Sequence, residues 1–304
     1  MIPLANRPGS GMTTCMKTGW FLGILTLMEV GVTTQAQIHD VVIRNGQVAD
    51  GTGTPRRQAD VAIRQGRVVA LGQIPERADL EIDASGMVVA PGFVDVHTHA
   101  DALASQPMAE NFVRMGVTTV VAGNCGDSRS DIGRLFRDIE AKGVAINLAS
   151  LFGHNTIRQK AMGGSVDREP TAAELDRMRA LAETAMQDGA VGLSTGLIYL
   201  PGVFAKTEEI IEVARVAAAH GGIYATHQRN EGTGIIRSLD EAIRIAREAG
   251  IRCQVSHIKV AGERAWGRAG EVLAHLDAAR ASGVEISQDQ YAYTASSTSI
   301  RQLI

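Results

Sequence analysis

The pattern of hydrophobic and polar positions changes once along the chain, at Pro91-Gly92. Before this point, residues 38–90 contain short apolar runs separated by small turn-forming pairs. Such pairs favour tight turns between antiparallel strands, so we expect hairpins at Asn45-Gly46, Gln65-Gly66 and Ser85-Gly86. This segment is predicted to be a small β-sandwich domain.

After Pro91-Gly92, apolar runs alternate with stretches of helical periodicity. The runs predict seven strands, near 93–99, 117–123, 144–152, 190–197, 223–228, 252–258 and 284–291. The helical stretches include 171–187, 206–219, 238–249 and 269–281, of which the last two begin where Ser or Thr could cap them. Repeated strand–helix units favour a parallel sheet with right-handed crossovers. The predicted fold class is therefore α/β, a TIM-type (β/α)8 barrel with a small N-terminal β-sandwich.

This barrel is expected to be incomplete. Seven strands are one fewer than a closed barrel requires, and the 214 residues of 91–304 compare with about 250 in a typical barrel. A sandwich made only from 38–90 would also be short of strands. We therefore expect the chain to be the N-terminal part of a longer protein, with the barrel truncated after about strand seven.

Residues 1–37 differ from the rest and are predicted to be a leader. Lys17 precedes the apolar run 20–28, and the small-x-small pattern Thr34-Gln35-Ala36 follows it. This order resembles a secretory signal peptide and predicts a periplasmic or secreted protein. The alternative is a disordered leader on a cytoplasmic protein, created by an early start codon. The apolar run is too short for a stable membrane span, so none is expected in the mature chain.

The composition mainly excludes other classes of protein. A net charge of −3 gives no electrostatic reason to expect binding to nucleic acid or anionic membranes. Three cysteines are too few for a disulfide framework. Hydrophobic residues make up 45% of the chain, which is ordinary for a soluble globular protein.

Five residues that could bind a metal ion lie at the downstream ends of predicted strands. They are His97, His99, Cys125, His227 and His257. Ligands spread over several strands fit a catalytic centre at the C-terminal rim of a barrel better than a zinc finger, whose ligands lie close in sequence. Alternation along 93–99 places His97 and His99 on the inward face. The alternatives are core histidines with satisfied nitrogens and a buried, inert thiol.

Other polar residues at the same rim are candidates for binding a substrate. Arg229 and Lys259 each follow a candidate histidine by two positions and could hold a carboxylate. Tyr199 could donate a hydrogen bond, and Tyr291 or Tyr293 could stabilise an oxyanion. The alternatives are solvated charges and aromatic rings that only pack. His154, at the end of the third strand, is a further candidate for a contact near the site.

Five segments together resemble one known family. They are 90–99 (APGFVDVHTH), 123–126 (GNCG), 192–197 (GLSTGL), 226–231 (THQRNE) and 256–259 (SHIK). This order resembles the N-acyl-D-amino-acid deacylase (D-aminoacylase) family of the amidohydrolase superfamily. The resemblance covers about residues 38–304.

The resemblance implies zinc-dependent hydrolysis of an N-acyl-D-amino acid to a carboxylate and a free D-amino acid. It implies a tightly held zinc on Cys125, His227 and His257, and a weaker position at His97 and His99 that shares Cys125. Arg229, Lys259, Tyr199 and a tyrosine of the 291/293 pair would hold or polarise this small-molecule substrate.

The family's general base is an aspartate at the end of strand eight, which would lie beyond residue 304. Asp289, on strand seven, does not match that position, so no catalytic base is identified. We therefore expect the 304-residue chain alone to be unstable or inactive.

Two other interpretations remain open. Hydantoinases and dihydroorotases share the His-x-His start, but they usually bridge two metals with a modified lysine at the end of strand four, and residues 189–196 contain no lysine. The chain could also be a non-catalytic, truncated product that keeps the ligands. The sequence does not specify the preferred D-amino acid, the number of metals or the oligomeric state.

Overall fold

A computed structural model describes residues 39–298, which divide into two compact units between Ala90 and Pro91. The predicted leader, residues 1–37, lies outside the described residues. Within the described range, no helix combines the length and apolar character needed to cross a membrane.

The first unit contains one mixed sheet. Its strands are β1 (His39–Val48), β2 (Arg57–Arg64), β3 (Arg67–Gly72), β4 (Ala78–Asp83) and β5 (Val88–Val89). The strand order is β3-β2-β1-β4, and β5 pairs with β1 beyond β4 along the same edge. The described part of this unit is a single layer, so the predicted sandwich stays a prediction.

The three predicted hairpins have different outcomes. Gln65-Gly66 joins the antiparallel strands β2 and β3, as predicted. The hairpin at Asn45-Gly46 is wrong, because β1 continues through these residues and its register with β2 shifts between Ile43 and Gly46. Asn45 has a φ of 60°, and a bulge can use this left-handed conformation as readily as a turn can. Ser85-Gly86 lies in a turn, but the strands on either side both run parallel to β1.

The second unit alternates strands and helices in the order expected of a TIM-type barrel. Its strands are β6 (Phe93–Asp95), β7 (Val117–Ala122), β8 (Asn147–Ser150), β9 (Phe152–Gly153), β10 (Gly192–Gly196), β11 (Ile223–His227), β12 (Arg252–Val255) and β13 (Ile286–Gln288). Its helices are α1 (Glu110–Arg114), α2 (Ile132–Lys142), α3 (His154–Met162), α4 (Ala172–Gln187), α5 (Thr207–Ala219), α6 (Ile235–Ala249) and α7 (Ala269–Ala281).

Every strand pair in this unit is parallel, and neighbours follow chain order. Strands β8 and β9 are two halves of the predicted third strand, separated by Leu151. The first half pairs with β7 and the second with β10. The seven predicted strands therefore all occur. Because they are parallel, their carboxyl ends lie along one edge, where barrel enzymes place their sites.

Local sequence explains some helix boundaries and not others. Helix α4 begins with a capping box in which Thr171 and Glu174 exchange side-chain and backbone hydrogen bonds. The predicted side-chain caps of α6 and α7 are wrong. Helix α6 begins at Ile235, so Ser238 lies inside it, and α7 follows Arg268; neither start has a side-chain cap.

The core of this unit lies between the strands and the helices that cover them. Its fully buried side chains include Met178, Leu193, Ile210, Tyr224, Leu239, Val255 and Leu276. Burying large apolar side chains contributes on the order of 1.5–3 kcal/mol each. This packing fixes strands β10–β12, whose carboxyl ends carry several of the predicted site residues.

Candidate metal centre

The loop that carries Cys125 contains three residues with a left-handed backbone conformation. Strand β7 ends at Ala122, and Gly123, Cys125 and Gly126 have φ values of 74°, 57° and 84°. Glycine adopts this conformation without strain, but cysteine rarely does. A side chain on Gly196 would collide with the carbonyl of Cys125, so the glycine lets the loop lie against β10. The result is a buried thiol held at the strand ends.

Two histidines face this thiol through the same ring nitrogen. Cys125 Sγ lies 3.5 Å from Nε2 of His97 and 3.8 Å from Nε2 of His257. Bond lengths of about 2.3 Å to sulfur and about 2.0 Å to nitrogen around a tetrahedral zinc ion would separate such atoms by about 3.5 Å. The ligand atoms of His97, Cys125 and His257 therefore fit a zinc ion.

A second set of ligand atoms overlaps the first. His227, Glu231 and His257 each place a nitrogen or carboxylate oxygen within 4.8 Å of the others. The Nε2 atom of His227 is buried and has no hydrogen-bond partner among the described residues. Burial lowers the pKa of His227 to about 3, so its imidazole is neutral at neutral pH and can act as a ligand.

His99 belongs to neither set. Its ring centroid lies 5.8 Å from that of His97, and burial lowers its pKa. The strand β6 ends at Asp95, so His97 and His99 lie in the following loop and the predicted strand alternation does not reach them. Phe93 and Val94, placed on opposite faces by that alternation, are both exposed.

The Nδ1 atoms of the three central histidines each lie close to an oxygen. Nδ1 of His97 is 3.3 Å from Asp289 Oδ1, and Nδ1 of His257 is 3.0 Å from Glu231 Oε1. Nδ1 of His227 is 3.2 Å from the hydroxyl of Tyr199. Oxygen partners of this kind orient histidine ligands and select the nitrogen that faces a metal.

Sequence reasoning missed the two carboxylates in these contacts. Glu231 lies in the loop four residues after His227, beyond the range of strand alternation. Asp289 directly follows β13, on a strand that does not match the position of the family's general base. Its carboxylate also accepts hydrogen bonds from the backbone N–H of His257 at 2.6 Å and from Gln254 Nε2 at 2.9 Å. An acidic residue directly after a strand was an available signal for Asp289, whereas the strand pattern gave none for Glu231.

The thiol is protonated in the absence of a cation. Burial raises the pKa of Cys125 to about 12, and the nearby Asp289 and Glu231 act in the same direction. A coordinated metal ion favours the thiolate. Binding of a cation by Cys125 would therefore release this proton.

Three of the predicted substrate-binding residues lie around this centre. Lys259 Nζ is 2.6 Å from Glu231 Oε1, and it lies 5.6 Å from the ring centroid of Tyr291. Tyr199 packs against His227, with ring centroids 4.7 Å apart. Tyr293 is 77% exposed and lies farther out, with its ring 6.4 Å from that of Tyr291.

The guanidinium of Arg229 makes structural contacts within the barrel unit. It forms two 2.9 Å hydrogen bonds with the carboxylate of Glu241 on α6 and donates to the carbonyls of Val203 and Ala205. The predicted role in holding a substrate carboxylate is therefore not supported by the contacts. His154 is also structural, because it is fully buried and its Nε2 lies 2.8 Å from Glu209 Oε1.

Comparison with known proteins is consistent with this geometry. The model of the amidohydrolase family matches residues 80–289. A D-aminoacylase from Alcaligenes xylosoxydans is 40% identical over 295 residues, which cover 88% of this chain and 60% of that protein. An N-acyl-D-glutamate deacylase from the same organism is 39% identical, with 85% of this chain and 58% of that protein covered. The chain thus spans about 60% of the length of the curated relatives it matches.

A solved structure has the same fold. The N-acyl-D-glutamate deacylase of Bordetella bronchiseptica, complexed with zinc and a phosphonate mimic of the tetrahedral intermediate, superposes with a TM-score of 0.82. It is 38% identical, and the match covers 84% of this chain and 59% of that one. The fold is therefore α/β of the TIM-barrel type, and this chain belongs to the amidohydrolase family.

Proposed function

We propose that this protein is a zinc-dependent hydrolase of N-acyl-D-amino acids, which releases a carboxylate and a free D-amino acid. The observation that carries the proposal is the convergence of the Cys125 thiol with His97 and His257 at distances suited to zinc. The relatives that match the chain act on substrates of this class. A soft sulfur ligand beside imidazoles favours zinc over magnesium or calcium.

The residues that would hold the metal are His97, Cys125, His227 and His257. When bound, zinc supplies Lewis acidity toward an amide carbonyl and lowers the pKa of a water molecule. The chain's own contribution is to present neutral imidazole nitrogens and a buried thiol at fixed positions. His99 lies beside His97 and would serve the weaker position that the family resemblance implies.

The substrate would lie across the rim on the side of Lys259 and Tyr291. The Lys259 ammonium lies beside the candidate ligands, 3.0 Å from His257 Nδ1. We propose that it attracts the carboxylate of the amino acid, with Tyr291 beside it. Tyr199, whose pKa is raised by burial, keeps its proton and can donate a hydrogen bond to a substrate oxygen.

Asp289 does not serve as the general base in this proposal. Oδ1 faces His97 and the backbone of His257, and Oδ2 accepts a hydrogen bond from Gln254. Both oxygens are therefore engaged. An aspartate beyond residue 304, and an eighth barrel strand, stay predictions from the sequence. The intact mass of the protein in its native source tests both: a species clearly heavier than 32.2 kDa supports them, and a species at or below that mass contradicts them.

A paired assay tests the function. The protein is purified from its native source and incubated with N-acetyl-D-methionine, N-acetyl-D-glutamate and the matching L-enantiomers. We expect release of the D-amino acid, loss of activity with a zinc chelator and recovery on adding zinc. Cleavage of the L-enantiomers alone, or of hydantoin in place of the linear amides, would contradict the proposal. Zinc binding with no turnover on any of them would support the non-catalytic interpretation.

We also propose that residues 1–37 direct export. Lys17, the apolar run 20–28 and Thr34-Gln35-Ala36 support this. Cell fractionation followed by N-terminal sequencing is the test. A mature N-terminus near residue 37 outside the cytoplasm is the expected result, and an uncleaved cytoplasmic protein would refute it.

A further inference from the structure

An imidazole can bind a metal through one nitrogen only if that nitrogen has no hydrogen. In the neutral ring the hydrogen must then lie on the other nitrogen, and the partner of that nitrogen decides which tautomer forms. Nδ1 of His97 faces a carboxylate and Nδ1 of His227 faces a hydroxyl. The carboxylate and the hydroxyl oxygen can each act as acceptor for a hydrogen on Nδ1, which leaves Nε2 free to bind a metal.

His257 is different because two opposed partners compete for its Nδ1. The carboxylate of Glu231 and the ammonium of Lys259 each lie 3.0 Å from this atom. An ammonium group only donates hydrogen bonds. If Lys259 donates to Nδ1, the ring hydrogen moves to Nε2, which faces Cys125 and could then not bind a metal.

The position of Glu231 resolves this competition. Its Oε1 atom lies 2.6 Å from Lys259 Nζ, which is shorter than the distance from Nζ to the imidazole. Lys259 also donates to the carbonyl oxygen of His257 at 3.0 Å. Two of the three lysine hydrogens are therefore directed to oxygens, and Nδ1–H can donate to the same carboxylate. The Glu231 side chain is only 12% exposed, so water competes weakly for these contacts.

We propose that Glu231 is a positioning residue that fixes the tautomer of His257 by drawing Lys259 away from its Nδ1. Without this carboxylate, Lys259 donates to Nδ1 and blocks the nitrogen that faces Cys125. This inference rests on the proposed function for the existence of the zinc site, but it makes a separate claim about how His257 is prepared for it.

The test is zinc affinity, measured on the protein at its native length by competition with a chromophoric chelator. Glu231→Gln should lower the affinity by about 10–100-fold, as loss of such partners usually does. Lys259→Met alone should change it by less than about threefold, because Glu231 remains as the acceptor for His257 Nδ1–H. The double variant should recover most of the lost affinity, because the competing donor has been removed. Glu241→Gln is the matched control, since that carboxylate pairs with Arg229, and it should bind zinc like the unmodified chain.

Each outcome decides the question. An unchanged affinity in Glu231→Gln, or a double variant as weak as the single one, would overturn the inference. If the Glu231 variants do not fold, long-range proton–nitrogen spectra of the unmodified, metal-free chain decide instead. They should show His257 with its hydrogen on Nδ1, and a hydrogen on Nε2 would overturn the inference. Failure of the unmodified chain to bind zinc at all would count against the proposed function itself.

Discussion

Oδ1 of Asp289 lies 3.3 Å from Nδ1 of His97, so the residue after the seventh barrel strand contacts the loop after the first. The same oxygen accepts a 2.6 Å hydrogen bond from the backbone N–H of His257. One carboxylate thus orients two of the residues that face Cys125. Burial raises its pKa, but contacts with His97, Gln254 and His257 outweigh burial, and the pKa of Asp289 lies below its usual value.

Asp289→Asn should therefore weaken metal binding while keeping the shape of the side chain. The amide has no negative charge. Its NH2 group can also face His97 Nδ1, where Nδ1–H needs an acceptor and not a second donor. We expect zinc affinity to fall by about 10–100-fold in chelator competition. Asp277→Asn, an exposed surface change, is the control. Equal affinities in the two variants would show that the Asp289 contact does not orient the ligands.

Arg229 and Lys259 should respond differently to removal of their charges. Arg229→Met breaks the pair with Glu241 and two bonds to loop carbonyls, and should cost roughly 2–4 kcal/mol of unfolding free energy. In the protein at its native length, it should leave the KM of the remaining folded enzyme within about twofold. Lys259→Met should raise KM instead. A raised KM with unchanged stability in Arg229→Met would restore the sequence-based role of Arg229.

The difference between these two cations shows what sequence patterns can specify. Apolar runs at regular spacing predicted the strands, and beyond the strand ends His257 lies in one ligand set with Cys125 and in another with His227. The same reasoning placed Arg229 beside them, because its partner Glu241 comes from α6 and leaves no local signal. Lys259 is also paired, but with Glu231 at the metal centre, so contacts between elements distant in sequence decide where each cation acts.

Loops explain the other departures from the sequence-based predictions. Glu231 lies after the end of β11, where the alternation of side chains along a strand no longer predicts which way a side chain points. His99 follows a strand that ends at Asp95, earlier than its apolar pattern indicates. Asn45-Gly46 forms a bulge because the left-handed conformation it favours occurs in bulges as well as in turns. In each case the residue type could be interpreted from the sequence, but the backbone conformation and the tertiary contacts around the residue could not be predicted.

The buried ion pair of Arg158 and Glu209 should be important for folding. Arg158 is fully buried, and its Nε donates to Glu209 Oε1 at 2.9 Å, as His154 also approaches that oxygen. Arg158→Met removes a positive charge that compensates the buried Glu209 carboxylate. It should lower the free energy of unfolding, measured with urea, by about 3–5 kcal/mol. Arg114→Met removes an exposed pair with Glu110 and should cost less than about 1 kcal/mol. Similar costs for both would contradict the assigned role.

The same cluster predicts a direction for the pH dependence of stability. Burial alone would raise the pKa of Glu209, but His154 and Arg158 outweigh it, so the folded pKa lies below the ordinary 4.5. The unfolded state then binds more protons over this interval, and stability is lost as pH falls from about 4.5 through the folded pKa. Urea midpoints measured from pH 6 to pH 3 should fall in the unmodified chain. Glu209→Gln should show a smaller fall, and an identical fall would refute the assignment.

The proposed metal centre depends most on Cys125 as a ligand, and cobalt substitution tests this directly. Cobalt(II) bound by a thiolate gives an intense sulfur-to-metal charge-transfer absorption, which oxygen and nitrogen ligands do not produce. The absorption spectrum of the cobalt-loaded full chain should show this band, and Cys125→Ser should lose it while Cys253→Ser keeps it. Stoichiometric cobalt binding without the band, or a band that survives in Cys125→Ser, would contradict the metal centre described for this protein.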